Sequence, residues 1–180
     1  MKNIKCSKMN INEIRKLINE VYVETCYELA ERKCSSDTEI SYAIDKEKEY
    51  YAKYLEQYFE GDNNFYYVLE HNDKWISAAR VSKTKDYYYL EALETNPDCR
   101  RKGYGIYLLQ EIIKNLEKNE EIILKCNVGK YNRASIELHK KCGYIIDKEN
   151  GFDFTTNEER TDVYAMCYKT RLKENKEERY

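Results

Sequence analysis

The segment Arg100-Arg101-Lys102-Gly103-Tyr104-Gly105 runs three cationic side chains into a Gly-x-Gly. Glycine at a helix start is costly unless the backbone must come close to something. Ile106, Leu109, Ile112, Ile113 and Leu116 follow at helical spacing, which predicts a helix over residues 105–116 opening on that glycine. Unpaired N–H groups at a helix N-terminus, the helix dipole and the three cations together form a cradle for an anion of pyrophosphate size. The segment lacks the third glycine and acidic follow-up of a dinucleotide fingerprint, and it lacks the Gly-x-x-x-x-Gly-Lys-Ser/Thr of a P-loop.

Ser135, His139 and Cys142 form a second constellation, spaced i, i+4, i+7 on one face of a helix predicted over residues 132–142. A Ser–His pair suggests a hydrolase dyad, but no Gly-x-Ser-x-Gly nucleophile elbow is present. His139 and Cys142 could start a metal site, yet the sequence shows no two further ligands. His71 falls in a predicted hairpin turn and reads as solvated.

The apolar pattern supplies the frame that must position these groups. Ile11, Ile14, Leu17, Ile18 and Val21 mark a first helix behind Asn10 and Glu13, which resemble a capping box. Tyr51, Tyr54, Leu55, Tyr58 and Phe59 mark a second, stopped by Gly61, and the polar residues 33–39 between them read as a loop. Strands are predicted over 65–70, 75–82 and 87–94, joined by turns at 71–74 and 83–86 as an antiparallel meander. After the 105–116 helix come a strand over 122–128, the 132–142 helix, a strand starting at 144–147 and a last strand over 161–169. Residues 171–180 are nearly all charged and read as a tail beyond a single domain of 1–170. This order predicts an α/β (α+β) fold: a mixed, mostly antiparallel sheet of about six to seven strands flanked by about four helices.

Composition narrows the functional classes. With 180 residues, 42% hydrophobic and 36% charged, the chain can build a core despite its heavy charge. Its net charge of -2 argues against a strongly basic nucleic-acid binder. The seven cysteines are odd in number, scattered and without a Cys-x-x-Cys pair, unlike a secreted disulfide framework or a structural zinc site. A polar opening segment and the lack of a long apolar run predict no signal peptide, no membrane span and a cytoplasmic location.

The two constellations together resemble a known family. Asn96-Pro97-Asp98-Cys99 leads into Arg100-x-x-Gly103-x-Gly105, and Val128 stands four residues before Asn132-x-x-Ser135-x-x-x-His139-x-x-x-Gly143-Tyr144. This is similar to the GNAT N-acetyltransferase superfamily, whose pattern is Val-x-Pro-x-x-Arg-x-x-Gly-x-Gly followed by Val-x-x-x-Asn-x-x-Ala-x-x-x-Tyr-x-x-x-Gly-Phe. The resemblance implies a GNAT-like fold and acetyl transfer from acetyl-CoA to an amine by direct attack in a ternary complex, with no metal required. It implies that Arg100, Arg101, Lys102, Gly103, Tyr104, Gly105 and Ile106 hold the pyrophosphate. Leu93, Glu94 and Thr95 would pair with the pantetheine arm through their main chain, and Asn132 and Ser135 would contact it. The strand over 122–128 would part from that over 87–94 to admit the arm. His139 occupies the usual tyrosine position, a departure also found within the family, and inherits that tyrosine's role of protonating the departing thiolate. Histidine, titrating near pH ~6.5 against ~10 for tyrosine, gives up a proton more readily; the plainer alternative is a partly exposed helix residue.

An attacking amine must shed a proton, so a carboxylate is wanted nearby. Strand alternation puts Glu91 on one face with Leu93 and Thr95, which makes it the candidate base; otherwise it is an ion-pair partner at the sheet rim. The same alternation turns Glu94 to the opposite side. The acceptor, a small-molecule or peptide amine, would be bounded by residues 21–64 and 150–160. A homodimer through the last strands is a family analogy, and neither nucleic acid nor membrane is expected as a partner. The competing classes are a CoA-binding sensor or scaffold without turnover and an RNA-associated protein using residues 100–102.

Overall fold

A computed structural model describes residues 2–118, 120–153 and 157–170. The charged segment 171–180, read above as a tail, lies outside them. The main sheet has seven strands in the order β1-β2-β3-β4-β5-β9-β6. β2 (Asn64–His71), β3 (Lys74–Lys83) and β4 (Tyr88–Thr95) are the expected meander. β5 (Ile123–Gly129) lies parallel to β4, while β9 (Val163–Lys169) pairs antiparallel with both β5 and β6 (Ile145–Lys148). β7 (Gly151–Asp153) and β8 (Glu158–Arg160) form a separate small ladder.

Alternation along the strands builds two cores. Tyr66 and Val68 turn to one face, where they meet Ile14, Leu17 and Ile18 of α1 (Ile11–Glu20), Cys26 of α2 (Val23–Glu31) and Leu55 and Phe59 of α3 (Asp37–Glu60). Tyr67, Leu69, Val81 and Leu90 turn to the other, under Leu108, Leu109 and Ile112 of α4 (Tyr104–Leu116) and Ile136 of α5 (Arg133–Lys141). Central strands buried on both faces read as continuous apolar runs, which is why residues 65–69 carry no charged interruption.

The Asn10–Glu13 capping box is present: the Asn10 side chain accepts from the Glu13 N–H and Glu13 accepts from the Asn10 N–H. Among the described residues, five α-helices stand where about four helices were expected. The added one is α2, whose buried side chains Cys26 and Ala30 are small. β1 (Lys2–Ser7), read as a lead-in, is an edge strand paired with β2. Residues 33–39 are not all loop: Ser36 accepts from the Glu39 N–H and caps α3, which runs 24 residues.

Candidate active site

β4 and β5 pair only at Tyr88–Leu124 and Tyr89–Lys125, then part, as the family resemblance implies. β5 stays fully paired with β9, so the gap opens on the β4 side. A cleft of about 870 Å³ occupies it, walled by β4, β5, the start of α4, α5 and the residues Glu24, Thr25 and Glu28 of α2. At one end is the glycine cradle. Gly103 has φ +80, and a Cβ there would meet nothing within 4 Å, so the space above it is open. Gly105 lies against its neighbours: a Cβ would stand 3.0 Å from Leu138 Cδ1 and 3.3 Å from Thr95 Oγ1. The helical ladder begins with the Tyr107 N–H donating to Gly103 O, which leaves the N–H groups of Tyr104, Gly105 and Ile106 without intrahelical partners. Those donors, an open approach and a helix N-terminus fit a pyrophosphate.

The cations of the motif divide. Arg101 lines the cleft, whereas Lys102 is not among the lining residues, and its Nζ donates to Asp98 O at 3.0 Å. Arg100 lines the cleft but donates to Thr95 O and to the Glu24 carboxylate, bracing β4 against α2. Asn96 extends that brace by donating to Glu20 O at 2.6 Å. Asn132 caps α5 by accepting from the Ser135 N–H, and both residues line the cleft.

A β-bulge overturns the face assignment made from simple alternation. Arg80 pairs with Glu91 and Ala78 with Glu94, so β4 has one residue more than β3 in that interval, and Ala92 takes φ +48. Beyond the bulge every side chain changes face. Leu93 packs with the α4-side core and Thr95 lies beside Gly105, whereas Ala92 packs against the α1–α3 core. Glu91 therefore does not share a face with Leu93 and Thr95; it shares one with Glu94, which accepts from Thr25 Oγ1 of α2 at 2.6 Å. Glu91 sits 3.9 Å from Arg80, the ion-pair alternative. Burial pushes the Glu94 carboxyl above its ordinary value, and the Thr25 hydrogen bond only partly offsets that. The Ala92 carbonyl accepts from Tyr22 Oη at 2.5 Å.

His139 is only 2% exposed. Its Nδ1 is 2.8 Å from Ser135 O, and a carbonyl can only accept, so the ring's proton sits on Nδ1 and faces the backbone. Nε2 is covered and has no hydrogen-bond partner, and the ring meets Tyr144 edge-on. Burial lowers the pKa below the ordinary histidine value. With its one proton held by the Ser135 carbonyl, the neutral imidazole turns none toward the cleft that His139 lines, unlike the arrangement a general acid needs. His71 ends β2, with its ring 6.3 Å from that of Tyr104, rather than sitting in a solvated turn.

A second cleft of about 690 Å³ lies on the other side of the gap, lined by Tyr54 of α3, Tyr87, Tyr89, Phe152, Asp153 and Arg160, among others. Both clefts share Leu90, Glu91, Ala92 and Asn127, so they meet where β4 and β5 separate. Sequence reasoning missed Tyr22, Thr25, Asn127 and the bulge. Asn127 alternates with the inward Cys126 and Val128, a signal that was available; nothing in a single sequence marks the bulge.

The profile of the acetyltransferase (GNAT) family matches residues 23–144. The ribosomal protein bS18-alanine N-acetyltransferase of Escherichia coli (strain K12) is 27% identical over 108 residues, covering 60% of this chain and 73% of its own. Among solved structures, PaiA N-acetyltransferase from Thermoplasma acidophilum in complex with coenzyme A superposes with a TM-score of 0.62 at 16% identity, over 93% of this chain and 99% of that one. The Campylobacter jejuni N-acetyltransferase PseH in complex with acetyl coenzyme A gives 0.60 at 19% identity, over 95% and 100%. Both structures share this fold.

Proposed function

The chain belongs to the acetyltransferase (GNAT) family, and from that premise we propose that the β4–β5 cleft holds acetyl-CoA and that a primary amine reaches the thioester from the second cleft. The observation that carries this is the opening of the β4–β5 gap beside the Gly103–Gly105 cradle, with the two clefts meeting at Leu90–Ala92. N–H groups of Tyr104, Gly105 and Ile106 bind the pyrophosphate; the unpaired edge of β4 at Leu93–Thr95 pairs with the pantetheine arm as a strand would.

Acetyl-CoA supplies an activated thioester. The amine nitrogen bonds to its carbonyl carbon, the C–S bond breaks with its electron pair on sulfur, and the nitrogen loses a proton. Positioning and stabilisation of the carbonyl oxygen by a strand N–H are the protein's main contributions. Glu94 accepts the proton. It lines the cofactor cleft just beyond the bulge, against Thr25 of α2, and a carboxyl with a raised pKa is a better base near neutrality than an ion-paired one. Glu91, beside Arg80, walls the junction. The thiolate takes its proton from water. Carboxylates of Glu91 and Asp153 suit an ammonium arriving through the second cleft, which Arg80 and Arg160 also line; the rings of Tyr54 and Tyr87 already carry Arg80 and Lys125. Residues 1–170 form the acetyltransferase domain, and the odd number and scattered placement of the seven cysteines support a reducing compartment such as the cytoplasm. No described helix is long and apolar enough to cross a membrane.

Free-thiol release across a panel of primary amines tests the assignment. With a productive acceptor, Glu94→Gln should lower kcat by about a hundredfold and abolish the acid limb of the pH–rate profile, while Glu91→Gln keeps that limb. The reverse pattern would return the base role to Glu91.

A further inference from the structure

Tyr22 lies across the sheet from the cofactor cleft, yet its hydroxyl ends on the one β4 carbonyl belonging to a residue with positive φ. We infer that Tyr22 is a positioning residue: its hydroxyl holds the Ala92 carbonyl so that the following N–H, that of Leu93, is aimed into the cleft as the donor to the thioester oxygen. The inference rests on reading that cleft as the acetyl-CoA site.

Carbonyl and N–H groups of a regular strand lie in the plane of the sheet and alternate toward its neighbours. The bulge breaks this pattern at Ala92, and Tyr22, at the junction of α1 and α2, draws the carbonyl toward the α1–α3 face. No described peptide bond is cis. In a planar trans unit the N–H points opposite to the C=O, so the Leu93 N–H is directed away from Tyr22, to the side where Leu93 lines the cleft. A hydrogen bond to the carbonyl also polarises the amide and strengthens its N–H as a donor. Alanine at φ +48 costs on the order of 1 kcal/mol and persists only where its surroundings hold it. Tyr22 is fully buried and touches the rings of Tyr51 and Tyr66 edge-on. That packing accounts for its ring, and phenylalanine would serve it equally. Burial drives the phenol well above its ordinary pKa, so it stays a protonated donor at any working pH.

The test uses acetyl-CoA carrying ¹³C at the thioester carbonyl, read by difference infrared spectroscopy on the full chain. Bound to the wild-type protein, the carbonyl band should lie at lower wavenumber than in free acetyl-CoA. Tyr22→Phe should return it most of the way while the dissociation constant changes by less than about threefold. A packing role would alter the unfolding midpoint but leave the band in place; an unmoved band in a folded Tyr22→Phe that binds acetyl-CoA overturns the inference. Should that variant not fold, 3-fluorotyrosine at position 22, nearly the same size with a more acidic hydroxyl, should push the band further down, and no movement overturns the inference. Wild-type binding without a band shift defeats it alone; no wild-type binding defeats it together with the reading of the cleft.

Discussion

His139 shows how burial and one hydrogen bond decide what a side chain can do. Its position matches the family's tyrosine, but its proton faces Ser135 O and its other nitrogen is covered. His139→Phe should therefore leave kcat within about threefold of wild type; a hundredfold loss with acetyl-CoA binding intact would restore it as the acid. Stability carries a second signature. The folded pKa is depressed, so below the ordinary value of ~6.5 the unfolded chain binds a proton that the folded one refuses. This stability is complete above pH ~6.5 and is lost as pH falls from there through the folded pKa, at up to ~1.4 kcal/mol per unit. Chemical denaturation of wild type and His139→Gln from pH 5 to 7 should show the wild type alone carrying that slope; parallel curves would mean the imidazole is not buried neutral.

At the scale of elements, the start of α4 is held by two glycines with different duties. Gly103 needs the left-handed conformation and has room above it, so Gly103→Ala should cost about 1 kcal/mol of stability, with the cradle only partly impaired. Gly105 lets α4 approach β4 and α5, so Gly105→Ala must displace Leu138 or Thr95 and should weaken acetyl-CoA binding more than Gly103→Ala does. Isothermal titration of both variants checks the order. Much of this was legible in the sequence: the glycines, the capping box and the meander follow from turn chemistry and apolar period, and the family resemblance implied the parting of β5. α2 was not, because its buried side chains are small and leave little apolar stripe. β1 was not, because an edge strand needs only Ile4 turned inward. The bulge was not, because alanine at positive φ follows no local preference and is held from α2's side by Tyr22. One inserted residue was enough to reverse the reading of Glu91 and Glu94.

For the whole molecule, the sheet divides the labour. On the proposed reading, the cleft under α4 and α5 binds the donor and the cleft bordered by α3, β7 and β8 takes the acceptor, the two meeting at the gap between β4 and β5. The most direct test of this arrangement is calorimetric titration of the purified protein with acetyl-CoA, using ATP as the control anion. The arrangement predicts saturable one-to-one binding of acetyl-CoA with far weaker binding of ATP, because the pantetheine arm fills the gap as well as the cradle. No binding of acetyl-CoA to the folded protein, or equal binding of the two, would contradict it.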